Sequence, residues 1–141
     1  MPVGNALYPE WKEFLLSGAL LSSLNVNDAI DGPFCALATT YVYSAAHSFY
    51  SPSVTGVVGT DQRITSPTVA NGVFDGADLT FPSVTGATVN SLVIYRHNSG
   101  LNTTWKLVAY LDTGFSGLPV IPNGGNITVA WANSPAGIFG L

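Results

Sequence analysis

The chain has 141 residues, 47% of them hydrophobic and 9% charged, with four Lys and Arg against eight Asp and Glu, where a free domain usually carries about a quarter charged residues. One domain of this length buries roughly two-thirds of its unfolded surface. Lys12, Arg63, Arg96 and Lys106 stand singly, so the sequence writes no basic stripe for nucleic acid and no cationic face for anionic membranes. A surface this poor in charge is either made of uncharged polar groups or covered by another molecule, which points to assembly.

Residues 1–30 read as an N-terminal helix or arm, and residues 31–141 as a β-domain. In the first segment Leu7, Trp11, Phe14, Leu15 and Ala19 recur at three- and four-residue spacing, as on one helix face. Pro9 suits a first helical turn, and Glu10 and Glu13 suit its positive end. Gly18 and Ser22-Ser23 weaken the C-terminal side. This face either packs on the domain's own sheet or carries its aromatics to a neighbouring subunit. The run Phe14–Leu21 imitates the apolar part of a secretory signal, but Glu10 and Glu13 precede it and no small-residue cleavage site follows before Asp28 and Asp31, so the chain is expected to be used intact. No segment reaches the roughly 18 to 20 continuous apolar residues of a membrane span.

From residue 33 the vocabulary is Val, Ile, Thr, Tyr and Phe punctuated by Gly, Pro, Asn and Asp, the pattern of strands and turns. Strands are expected near 34–43, 57–65, 73–81, 87–97, 105–112 and 126–132. The 88–96 segment turns nearly all apolar in its second half, which predicts burial on both faces. Trp105, Leu107, Ala109 and Leu111 share one side of their strand, with Lys106, Val108 and Tyr110 opposite. Ile127, Val129 and Trp131 alternate cleanly onto one face. Asn71-Gly72, Asp75-Gly76 and Asn123-Gly124-Gly125 supply tight reversals, and Pro119 and Pro122 confine Val120-Ile121 to an edge or connection. Pro52-Ser-Val-Thr-Gly56 recurs as Pro82-Ser-Val-Thr-Gly86, read as one turn solution used twice, not as a solenoid. The fold class expected is all-β, a β-sandwich or jelly-roll-like barrel with a short N-terminal helix or arm.

Candidate chemistry is thin. Cys35, the single cysteine, lies in the apolar run Pro33–Ala38 and reads as core, with only His47 and His97 available as bases. Those two histidines are fifty residues apart and lack the short-spaced partners of a zinc site. Asp75 and Asp78 flank a glycine turn without a third acid, so capping accounts for them better than calcium. Gly114-Phe-Ser-Gly117 has the wrong spacing for a nucleophile elbow, which leaves Ser116 a loop serine. No spacing nominates a pair of carboxylates for glycoside hydrolysis. Asn102-Thr-Thr104 and Asn126-Ile-Thr128 match the glycosylation sequon, relevant only on a eukaryotic secretory route. Tyr41, Tyr43, Phe49 and Tyr50 gather around His47 and could stack on sugars, although most aromatics in such a domain are core. The expectation is no catalytic, cofactor-binding or metal residues and no enzyme activity.

The segments Tyr41–Tyr50, Asn71–Phe81 and Leu92–Tyr95, followed by Leu107–Asp112, Gly117–Trp131 and Gly137–Leu141, resemble a family of small structural proteins of tailed bacteriophages, in order over most of residues 40–141. In that pattern an acidic stretch follows Phe49, and here Tyr50-Ser-Pro-Ser-Val-Thr-Gly56 stands in its place. The resemblance implies a virion component made in the bacterial host cytoplasm, best fitted by a capsid decoration or cement protein. It would bind the major capsid protein as a homotrimer, with no cofactor, nucleic acid or membrane partner. The alternative is a tail or fibre-associated module binding host glycans through Tyr41, Tyr43 and Tyr50. Tyr8, Trp11, Phe14 and Leu15 are the candidate interface, docking on a neighbouring subunit within the trimer or on the capsid.

Overall fold

The computed structural model describes residues 5–18, 23–26, 28, 30–113, 115–132 and 137–140. Ala19, Leu20, Leu21, Gly114 and Leu141 therefore lie outside the described residues. The chain is an all-β protein with a short N-terminal helix, built as three antiparallel sheets. In chain order the elements are β1 (Ala6–Leu7), α1 (Pro9–Leu16), β2 (Gly32–Ala38), a short turn α2 (Tyr50–Ser53), β3 (Val57–Arg63), β4 (Thr68–Ala70), β5 (Val73–Asp75), β6 (Leu79–Phe81) and β7 (Ser91–His97). A 3₁₀ turn at Asn102–Thr104 follows, then β8 (Lys106–Leu111), β9 (Phe115–Ser116), β10 (Ile127–Trp131) and β11 (Phe139–Gly140).

The main sheet has the order β1-β8-β7-β2-β3, and the smaller ones are β6-β10-β9 and β11-β5-β4. Strand β7 is buried from Ser91 to Arg96, as its apolar second half requires. The register of β2 against β7 runs without interruption from Gly32↔His97 to Ala38↔Ser91. That pairing puts Phe34, Tyr95 and His97 on one face and Cys35, Leu37, Leu92 and Ile94 on the other. The second face meets the small sheets, where Gly59 on β3 lies in contact range of both Val84 and Leu37. On β10, Ile127, Val129 and Trp131 are buried while Thr128 is exposed, so its alternation is a faithful record of one dry face and one wet one.

Several boundaries differ from those the sequence suggests. The strand expected over 34–43 ends at Ala38, because Thr39 donates both its N–H and its Oγ1 to Gly56 O and turns the chain into a loop closed at its own base. The segment 73–81 is two strands in two sheets. Its break is fixed by Gly76, which packs against Ile64 with no room for a Cβ, and by Asp78, whose carboxylate accepts the Trp131 N–H. Besides β5 and β6, four further strands of two or three residues, β1, β4, β9 and β11, are too short to leave a period. Asn71 and Gly72 both have positive φ, 52° and 76°, the twist a two-residue hairpin between β4 and β5 demands. Val120 makes only an isolated bridge, to Val89. In both copies of the repeated pentapeptide the valine is buried and the glycine has positive φ, but Ser53 ends α2 while Ser83 itself has φ 51°. The shared residues thus serve two different backbone paths.

Of the two readings of the N-terminal face, packing on the chain's own sheet is the one the fold has: Ala6 and Leu7 pair with Tyr110 and Ala109, and Tyr8 N–H continues the ladder to Val108 O. Helix α1 has Pro9 in its first turn and ends at Ser17 and Gly18, the latter at φ 67°. Tyr8 and Trp11, proposed for docking on a neighbour, are both 0% exposed. They are committed to the chain's own core, because the edge of a five-stranded sheet needs a cover. Phe14 and Leu15 are partly buried against the same core, and the exposed apolar end of the helix is Leu16.

Trp11→Ala should therefore lower the stability of the single chain by about 3–5 kcal/mol, read as a fall in the urea midpoint at constant slope. Among the described residues the indole Nε1 has no hydrogen-bond partner, so Trp11→Phe gives up no bond seen there and should retain most of the stability. A folded Trp11→Ala chain with an unchanged midpoint would restore the docking role.

Candidate functional site

Beneath the loop spanning residues 39–56, the main sheet carries a layer of aromatic rings threaded by two small polar networks. The first begins where β1 delivers Tyr8 to the loop. Tyr8 and Tyr41 share a hydrogen bond of 2.6 Å between their hydroxyls, and the Tyr41 oxygen also meets His47 Nδ1 at 2.8 Å. Tyr43 and Tyr110 pack around them. Burial, reinforced by the neighbouring tyrosines, pushes the Tyr8 hydroxyl far above its ordinary value and raises Tyr41. Neither is available as a base.

The second network is centred on Asp61 of β3. One oxygen, Oδ2, accepts Tyr95 OH at 2.6 Å and Tyr50 OH at 3.0 Å. Around it the rings are continuous: Tyr50 lies 4.6 Å from Tyr95, Tyr95 stacks on Trp105 at 5.4 Å and 8°, His97 lies 4.1 Å from Trp105, and Phe34 stacks on His97 at 4.5 Å. Burial holds the Asp61 carboxyl above the usual carboxylate range, winning over the hydrogen bonds from Tyr95 and Tyr50 and the nearby His97, all of which favour the ionised form. Burial and the same carboxylate raise Tyr50 and Tyr95. The arrangement can hold a proton and fix ring geometry.

The residues considered for chemistry are placed apart. Cys35 is fully buried, burial pushes its thiol well up, and it sits on the face of β2 opposite to that of His97. His97 bonds Ile30 O, and His47 bonds Tyr41. Asp75 accepts Gly76 N–H and Asp78 accepts Trp131 N–H, so both cap backbone. Ser116 is exposed on β9. Among the described residues no group of three His, Cys, Asp or Glu could hold a metal ion, and no helix is long and apolar enough to cross a membrane. Of the three tyrosines considered for sugars, Tyr41 is buried and Tyr50 is engaged on Asp61, leaving Tyr43 half-buried.

Sequence reasoning passed over Asp61. In Val57–Arg63 the residue reads as one charge in a polar edge strand, and nothing local tells that Tyr50 and Tyr95, 11 and 34 residues away, converge on it. A second feature is an apolar cleft of about 430 Å³ lined by Leu15, Leu24, Val69, Val73, Phe74 and Phe139 together with Ser23, Asn25 and Gly72. No protein-family model matches the chain, and no curated protein matches it either.

The raised Asp61 pKa fixes a sign. Between the ordinary carboxylate value and the raised one, the folded chain keeps a proton that the unfolded chain has released. This group's contribution is therefore fullest below the ordinary value, falls as pH rises through that window and is level above it. Tyr95→Phe removes a donor that favours the carboxylate, so Asp61 should titrate at still higher pH, followed by the carboxyl ¹³C shift. A downward move would show that the Tyr95 hydroxyl does not favour the carboxylate.

Proposed function

We propose that this protein is a bacteriophage virion structural protein, a capsid decoration or cement protein that binds the outer surface of the head as a homotrimer. The observation that carries the reading is the surface. Only 9% of the chain is charged, and among the described residues Leu16, Ile30, Val42, Val69, Leu101 and Ile121 are each more than half exposed. Scattered apolar side chains are ordinary on a well-charged protein. With so little charge to keep copies apart, they suit broad contact with another protein surface.

The physical demands of such a role are consistent with this chain. A cement protein spreads over apolar and uncharged polar shell surface, and a net charge of −4 gives no pull toward packaged DNA. Closed three-fold symmetry would use the apolar surface without open polymerisation and would match the local axes of a shell. The sequence resemblance to small tailed-phage proteins supplies the setting, and the β-rich fold is compatible with it.

The test is sedimentation of the purified chain with phage heads prepared without it. Saturable binding at a fixed ratio to the major capsid protein, with a sedimentation coefficient for the free protein three protomers in mass, is the expected result. Absence from heads combined with retention on host glycans would replace this reading by the tail or fibre alternative.

A further inference from the structure

The turn α2 rests on the sheet with no buried residue of its own. Its hold consists of a few directed contacts. Tyr50 N–H donates to Trp105 O at 2.8 Å, Leu107 N–H donates to Ser48 O at 3.0 Å, and Phe49 bridges Lys106. The side-chain contacts are Tyr50 OH on Asp61, the Tyr50 ring against Tyr95 and Trp105, and Lys106 Nζ over the Phe49 ring at 4.8 Å. The base of the loop is closed separately by Thr39 on Gly56, and its two deep anchors, Tyr41 and Val54, lie on either side of the turn. Residues 48–53 can therefore lift without the sheet or the loop base coming apart.

We propose that residues 48–53 form a pH-sensitive latch, closed over Asp61 while that carboxyl keeps its proton and released as it ionises. In the closed form the Tyr50 ring, 4.6 Å from Tyr95 and 5.6 Å from Trp105, helps keep water from the carboxyl. The groups that face Asp61 are Tyr50 from α2 and Tyr95 and His97 from β7, while Cys35 of β2 lies through the sheet on its opposite face. Arg63 lies two residues along the same strand. Two hydroxyls and one imidazole stabilise the carboxylate less than the water they displace, which agrees with the raised pKa of the folded chain. Swinging Tyr50 outward hydrates the carboxyl and returns it toward its ordinary value. The closed form then holds more protons than the open one throughout the window between the two values, so rising pH favours opening. One proton limits the effect to about tenfold in the opening constant per pH unit. Lys106 pairs with Glu10 at 3.5 Å and lies over the Phe49 ring, not on the carboxyl.

Native-state amide exchange on the full chain reads the latch directly, through the Leu107 N–H that bonds Ser48 and the Tyr50 N–H that bonds Trp105. After correction for the intrinsic pH dependence of exchange, both opening constants should climb as pH rises above the ordinary carboxylate value, by no more than about tenfold per unit, and then level, while amides in the middle of β7 stay protected. Asp61→Asn should flatten the profile. Tyr50→Phe should raise opening several-fold at every pH and keep the slope, and His47→Gln, which leaves Asp61 in place, should keep it as well. A flat wild-type profile overturns the proposal, as does an unchanged slope in Asp61→Asn, or β7 amides that move in parallel with Leu107. Should Asp61→Asn not fold, an unaltered Leu107 protection in Tyr50→Phe would overturn it by itself.

Discussion

Strand β7 is buried along both faces from Ser91 to Arg96, and a sheet with such a centre has to be roofed twice. The two roofs are made of different material. On the face of Cys35, Leu37 and Leu92 the cover comes from the small sheets, whose strands bring alternating apolar residues such as Leu79, Phe81, Ile127 and Val129 and keep their backbone bonds within their own ladders. On the face of Phe34 and Tyr95 the cover is the N-terminal segment and the loop 39–56, neither of which forms an extended layer. Irregular cover leaves polar groups to be satisfied one at a time, and this face accordingly holds the tyrosine hydroxyls, His47 and Asp61. The chemical asymmetry of the protein follows from the regularity of its roofs.

The same need explains where the few charges went. Arg96 is 4% exposed at the end of β7. Its Nε donates to Ser23 O and its Nη1 to His97 O, and burial lowers its pKa while Asp31 and Asp28 oppose that. Through that guanidinium the chain entering β2 is tied to the strand beside it. Lys106 is shared in a similar way: it pairs with Glu10 of α1 and lies 5.1 Å from the Phe14 ring and 4.8 Å from the Phe49 ring. A single ammonium thus touches both parts of the irregular roof. Exposed pairs of this kind contribute little each, but placed where two loosely covered segments meet the sheet they help set the register of the cover.

What could be read from the chain was whatever repeats along it. The alternation of Ile127, Val129 and Trp131, the unbroken apolar end of β7, the Asn71-Gly72 reversal and the helix behind Pro9 each leave a local trace, and each stands where that trace puts it. The short strands leave none, since two residues have no period. The fate of Trp11 was illegible for a different reason. An apolar helix face looks the same whether it covers its own sheet or a neighbour's, and only the free edge of β8, filled by Ala6 and Leu7, decides between them. Asp61 is the extreme case. Its environment is assembled from three separate elements, and its own neighbours in sequence, Thr60 and Gln62, point to nothing more than a polar edge.

A chain with so few charges gains specificity from polar groups that must be paired. Apolar packing alone would accept many arrangements of the loop 39–56 over an aromatic surface, because rings slide over rings at small cost. Hydroxyls meeting one carboxylate oxygen and one imidazole do not slide, since displacement breaks the buried Tyr8–Tyr41 bond, at roughly 1–3 kcal/mol, and the part-buried bonds of Tyr41 to His47 and of Tyr50 to Asp61, at less. Tyr41 with Tyr8 and His47 fixes one side of the loop, and Tyr50 with Asp61 fixes the other. The half-buried carboxyl is costly to keep, but it selects one placement of the roof from the many that the surrounding rings would tolerate.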